Sequence, residues 1–123
     1  MTTHPRTPEL ARAVAEWIEL IRPALDPRNA FLARVAANAM ATIERELTQG
    51  PAADAEAVRR LTSLLGRTGD LEALEAALCA EIRAGRADER TPGLLPALRE
   101  ITLARLAIDQ PSYRHEGLGQ SGS

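Results

Sequence analysis

The sequence predicts an all-α protein, built as a single five-helix antiparallel up-and-down bundle with disordered termini. Three observations support this fold class. Apolar residues recur every three or four positions, proline and glycine separate these stretches, and no segment shows the alternation or β-branched density of a strand. A chain of 123 residues with 45% hydrophobic content suits one compact domain. We therefore expect a bundle domain over 7–113 and disordered tails over 1–6 and 114–123.

Helix one is expected over about 8–22, because Thr7 can cap it and Pro8 can preset its first turn. Helix two should restart at 27, with Asp26 as its cap, and continue to about 48, where a Gly-Pro pair at 50–51 is expected to stop it. Helix one carries an apolar stripe that we assign to the core, and its members are Leu10, Val14, Trp17, Ile18, Ile21 and Leu25.

Three shorter helices are predicted in the second half of the chain. Helix three should cover about 52–65, and helix four about 71–84 with Asp70 as its cap. Helix five should open at Thr91-Pro92 and run to about 109, before Pro111 ends it. The connections between these helices are short, which favours antiparallel neighbours.

The composition excludes several functions. All fifteen basic residues are arginine, so Schiff-base chemistry, a phosphate-loop lysine and a lysine general base are unavailable. The net charge of -2 gives no cationic field for a nucleic-acid backbone. A single cysteine cannot form an internal disulfide, which fits a cytoplasmic location. No stretch approaches the ~18 apolar residues of a membrane span.

No conventional catalytic or metal-binding constellation is evident. His4 and His115 fall in the expected tails, so neither can be held against Cys79 with the accuracy that proton transfer needs. Carboxylate pairs such as Glu72 with Glu75 are typical of solvated helix charges. Cys79 on helix four is expected to be a small core residue. We therefore predict no catalytic residue, no cofactor and no metal site.

Charged residues nevertheless fall inside two apolar stripes. On helix five, Arg105 lies at the centre of the apolar arc, and Asp109 one turn later can pair with it. On helix two, Glu46 falls within the core arc, and a buried charge without a partner costs several kcal/mol. We expect Glu46 to meet Arg105 across the core.

A polar strip of Arg34, Asn38, Thr42 and Arg45 runs beside the core arc of helix two. Two interpretations stay open. The charges form an ion network that fixes helix register, or they line a pocket for a small anion, with Arg34 and Arg105 as bidentate donors. The candidate polar site comprises Arg34, Asn38, Arg45, Glu46, Arg105 and Asp109.

Helix two also carries Ala33, Ala37 and Ala41 at four-residue spacing outside the main apolar arc. Such a smooth strip allows another helix to approach closely, either from a second copy or from a partner enzyme. The alternative is that alanine simply fills exposed helical positions. Under both interpretations Ala37 is expected to be exposed.

Several segments together resemble a small bacterial all-helical family of unknown function, over about 8–113. The segments are Phe31-Leu-Ala-Arg-Val-Ala-Ala-Asn-Ala-Met-Ala-Thr-Ile-Glu-Arg-Glu-Leu47, Gly50-Pro51, Gly69-Asp70-Leu71, Ile82-Arg-Ala-Gly85 and Leu106-Ala-Ile-Asp-Gln-Pro-Ser-Tyr113. Members of that family are often encoded beside aminoglycoside-phosphotransferase-like kinases and acyl-CoA dehydrogenases. The resemblance implies these enzymes as partners, and it supplies no catalytic residues.

Two function classes follow. The favoured one is a non-catalytic accessory or interaction protein that acts with such a kinase or dehydrogenase or forms a homodimer. The alternative is a module that binds a small anionic ligand or an acyl group through the polar strip. A DNA-binding role is disfavoured, because Glu72 and Glu75 at the start of the would-be recognition helix repel phosphate.

Overall fold

The computed structural model describes residues 6–113, and within this range it is all-helical with no strand. The elements are α1 (Thr7–Ile21), a 3₁₀ turn (Arg22–Ala24), α2 (Pro27–Leu65), α3 (Leu71–Arg83) and α4 (Leu94–Asp109). The all-α prediction is confirmed. Among the described helices none combines the length and the apolar character that crossing a bilayer requires. The predicted tails lie outside the described residues, apart from Arg6.

The prediction of a five-helix bundle is wrong, because the described chain has four α-helices. Predicted helices two and three form one helix, α2, with Pro51 in its interior. Proline normally clashes with the Cβ of the preceding residue in helical conformation. Here that residue is Gly50, which has no Cβ, so the clash is relieved and the helix continues at the cost of one backbone hydrogen bond.

The predicted caps of α2 and α3 are confirmed, whereas the predicted cap of α1 is wrong. Arg6 is the N-cap residue of α1 and its N–H donates to Glu9 Oε1 at 2.6 Å, so Thr7 is already the first residue of the helix. The Asn29 N–H donates to Asp26 Oδ1 at 3.3 Å, and the Ala73 N–H donates to Asp70 Oδ1 at 2.8 Å. These carboxylates satisfy free N–H groups in the first turns of α2 and α3. The predicted start of the last helix at Thr91-Pro92 is wrong. Helix α4 begins at Leu94, because Gly93 before it has a φ of 84°, in the left-handed region.

The chain divides into two compact units, Met1–Gly50 and Pro51–Ser123. The second unit holds a core cluster centred on Leu61, Leu74, Leu78, Ala87 and Leu94. These residues come from the last part of α2, from α3, from the following loop and from α4. Further partly buried residues pack against the cluster, namely Val58, Leu64, Leu65, Leu71, Leu98 and Ile101.

Candidate interaction surface

The first unit is a helical hairpin, formed by α1 and residues 27–50 of α2, and its two helices meet through small side chains. Ala11 of α1 is 3% exposed and Ala37 of α2 is 4% exposed. Arg12 Nη2 lies 2.7 Å from Glu44 Oε2, two turns beyond Ala37 on the same side of α2. This hydrogen bond to Glu44 raises the pKa of Arg12. The pair fixes the two helices as antiparallel neighbours.

Because alanine occupies the contact, the large apolar residues of both helices lie outside it. Trp17 is 58% exposed, and several leucine, isoleucine and valine side chains are likewise exposed. We define the hairpin face as Leu10, Val14, Trp17, Leu32, Ile43 and Leu47. Large exposed apolar patches on a soluble protein mark sites of interaction.

Helical geometry places these six residues on one side of the hairpin. In α1, Leu10, Val14 and Trp17 lie roughly 60° to 120° around the axis from the side marked by Ala11, at about 3.6 residues per turn. In α2, Leu32, Ile43 and Leu47 lie roughly 80° to 140° from the side marked by Ala37, in the same rotational sense. Since α1 and α2 are antiparallel, the two rotations lead to the same side.

The alanine strip that the sequence indicated lies in the helix contact. Ala37 is buried, whereas Ala33 and Ala41 are half-buried. The expectation that Ala37 is exposed is therefore wrong. The helix that approaches this strip is α1 of the same chain, as the Arg12–Glu44 pair shows.

The polar strip of the first unit runs along the outside of α2. Arg34 and Asn38 are exposed, and Arg45 is half-buried. The Thr42 hydroxyl donates to the backbone carbonyl of Asn38 at 3.0 Å and accepts from Arg45 Nη2 at 3.1 Å. Thr42 therefore joins the Arg45 side chain to the preceding turn of the helix backbone.

Glu46 is half-buried. Its carboxylate lies against Gly50, where an added Cβ would overlap it. Gly50 therefore serves α2 twice: it relieves the clash with Pro51 and leaves space for this side chain. The predicted pairing of Glu46 with Arg105 stays a prediction.

In the second unit, the predicted pair of Arg105 and Asp109 is confirmed. Arg105 Nε and Nη2 donate to the two Asp109 carboxylate oxygens at 3.1 and 3.0 Å. Arg105 also lines a hollow of about 280 Å³ with apolar residues and two carboxylates, those of Asp54 and Glu75. Together with Asp109, these groups offset the positive charge that an anion would seek there.

Two other ion pairs lower the pKa of a carboxylate in the second unit. Arg86 Nη2 lies 2.9 Å from Glu81 Oε2, and the hydrogen bond from Arg86 lowers the pKa of Glu81. The side-chain hydrogen bond from Arg59 similarly lowers the pKa of Glu56. Both pairs lie at the protein surface, where ion pairs contribute little to stability.

Cys79, predicted from its place on helix four to be core, is exposed on α3. Within residues 6–113 no group of three or more histidine, cysteine, aspartate or glutamate side chains is arranged to hold a metal ion.

The hairpin face was not predicted, because helical periodicity assigned Leu10, Val14 and Trp17 to the core. One feature of the sequence does indicate the face. Each hairpin helix carries two neighbouring apolar sides, one of alanine and one of larger residues. A single neighbouring helix can cover only one of them. The close approach that alanine allows favours the small side.

Comparison with known proteins gives a family. Residues 23–113 match the family described as Domain of unknown function (DUF6285). The match begins after α1, later in the chain than the resemblance expected from the sequence. No curated protein and no solved structure matches the chain.

Proposed function

The chain belongs to the DUF6285 family of unknown function, and from this premise we propose that it is a non-catalytic accessory protein that docks on other proteins through its hairpin face. The exposed apolar face carries this proposal. The face contains a tryptophan together with five aliphatic side chains, and tryptophan is enriched in binding hot spots. A folded hairpin presents such a face at low entropic cost, since the helices are already ordered.

The proposed partners are a phosphotransferase-like kinase and an acyl-CoA dehydrogenase, the enzymes beside which relatives are expected to be encoded. This part of the proposal depends on the family resemblance. The proposal also places the protein in the cytoplasm, where the exposed thiol of Cys79 would stay reduced.

Co-sedimentation of the purified chain with each candidate enzyme from the same host tests the proposal. We expect a complex for the wild type and at least about tenfold weaker binding for Val14→Arg, because a charge would be buried in the contact. The matched control is Ala13→Arg, an exposed position of α1 outside the defined face. If neither enzyme binds the wild type, or if Val14→Arg binds as well as the wild type, the proposal is wrong.

A second candidate function is the binding of a small ligand with an apolar tail. The hollow beside Arg105 favours it, since apolar residues form much of its lining. Titration with short-chain acyl amides, which carry the apolar tail without a negative charge, tests this candidate when it is followed by nuclear magnetic resonance. Shifts confined to the Ile101, Thr102 and Leu106 signals would support it, and their absence at millimolar ligand would exclude it.

A further inference from the structure

We propose that, when no enzyme is bound, the hairpin face is occupied by a second copy of this chain, which forms a twofold-symmetric four-helix interface. The inference deepens the proposed function and rests on it, because both use the same face. Self-association would then compete with enzyme docking. The area and the charge of the face both favour a second copy as its occupant.

The area is close to what a dimer requires. With side-chain areas of ordinary size, the six residues of the hairpin face expose on the order of 600 Å². A stable interface needs about 800 Å² on each partner. The exposed residues Ala36 and Ala39 lie on the adjoining surface of α2 and supply part of the remainder. The hairpin face can therefore supply most of a dimer contact.

The charge of the face fits a second copy. By helical position, the side of α2 that bears Leu32, Ile43 and Leu47 carries no Asp, Glu or Arg between residues 29 and 43. On α1, Glu9 lies roughly 100° around the axis from Leu10, and Glu16 lies roughly 100° from Trp17, so both carboxylates are outside the face. Interfaces between identical chains are more apolar than other interfaces and are depleted of charge at their centre. A second copy presents the same uncharged centre, so no charge is buried without a partner.

A twofold axis suits the two helices of the face. An axis parallel to them sets α1 of each copy against α2 of the other. Trp17, which is 58% exposed, then packs on α2 of the second copy, where Ala36 and Ala39 are small exposed residues. A second copy brings a whole matching face, including a tryptophan.

Sedimentation equilibrium combined with Trp17 fluorescence tests the proposal, since Trp17 is the single tryptophan. For the wild-type chain, from about 1 to 100 μM, we expect a monomer–dimer equilibrium. Trp17 emission should shift to shorter wavelength as the dimer forms. Ala39→Arg should raise the dimer dissociation constant at least about tenfold, because it places a charge without a partner in the contact.

The control is Ala55→Arg, an exposed alanine on the same helix in the second unit, and it should associate as the wild type does. Circular dichroism should show unchanged helicity for both variants. A wild type that stays monomeric to about 100 μM overturns the inference, as does normal association by Ala39→Arg. A monomer that still binds a candidate enzyme would leave the proposed function standing. A dimer that binds neither enzyme would remove the proposed function alone.

Discussion

Leu74 and Leu20 are both helical leucines, yet Leu74 is 1% exposed and Leu20 is 77% exposed. Leu74→Ala removes buried methyl groups and leaves a cavity in the core of the second unit, so we expect a loss of about 2 to 5 kcal/mol of unfolding free energy. Leu20→Ala should change it by less than about 0.5 kcal/mol. Urea unfolding measures both. Equal losses would contradict the burial assigned to Leu74.

The ion pair of Glu81 with Arg86 should make stability depend on pH in acid. Its hydrogen bond lowers the pKa of Glu81 in the folded state. The pair therefore contributes stability above the unfolded pKa of about 4.3, and this contribution is lost as the pH falls through the lower folded pKa. Glu81→Gln should be less stable than the wild type at pH 7, with a difference that shrinks on acidification.

Urea unfolding at several pH values between about 7 and 3 checks this expectation, since that range brackets the titration of glutamate. Arg86→Gln should give the same change in pH profile, because it removes the same interaction. A stability difference that stays constant through the acid range would show that the pair does not carry this dependence.

Individual site residues could be predicted where the rule is local. Arg105 and Asp109 are four residues apart on one helix, so their contact follows from helical spacing alone. The burial of Ala37 could not be predicted in this way. It depends on which side of α2 receives α1, and two apolar sides were available.

At the scale of elements, the helix starts at Asp26 and Asp70 could be predicted because a carboxylate cap acts on N–H groups three residues away. The continuity of α2 through Pro51 could not be predicted from the sequence. Proline lowers helical stability at any interior position, but whether the helix ends depends on the packing of the residues on both sides. Gly50 acts in favour of continuity, although glycine before proline was interpreted as a stop.

Pro51→Ala tests this continuity. Inside a helix, alanine restores the missing backbone hydrogen bond, so we expect the variant to gain up to about 3 kcal/mol in unfolding free energy. The control is Pro27→Ala, at the first position of α2, where the proline N–H would be unsatisfied in any case and little change is expected. Urea unfolding of both variants gives the comparison. No gain for Pro51→Ala would indicate that a helix ends there.

At the scale of the whole molecule, self-association through the hairpin face should have the heat-capacity signature of apolar burial. If two copies bury on the order of 1,200 Å² of apolar surface, the heat-capacity change of association should be about -0.5 kcal/mol/K. Calorimetric dilution at several temperatures measures it. Association should weaken on cooling. A heat-capacity change near zero would contradict an apolar contact.

The alanine contact inside the hairpin also has a consequence for mutational tolerance. In most proteins, polar substitutions are harmful inside and size changes are tolerated outside. Here the first unit keeps its smallest side chains, Ala11 and Ala37, in the helix contact and its largest, including Trp17, at the surface. Enlarging either alanine to leucine would force the helices apart, at a cost of about 1 to 3 kcal/mol. A deep mutational scan should therefore find that larger side chains are not tolerated at Ala11 and Ala37. At the surface of the first unit, polar substitutions should be harmful only when the scan selects for binding.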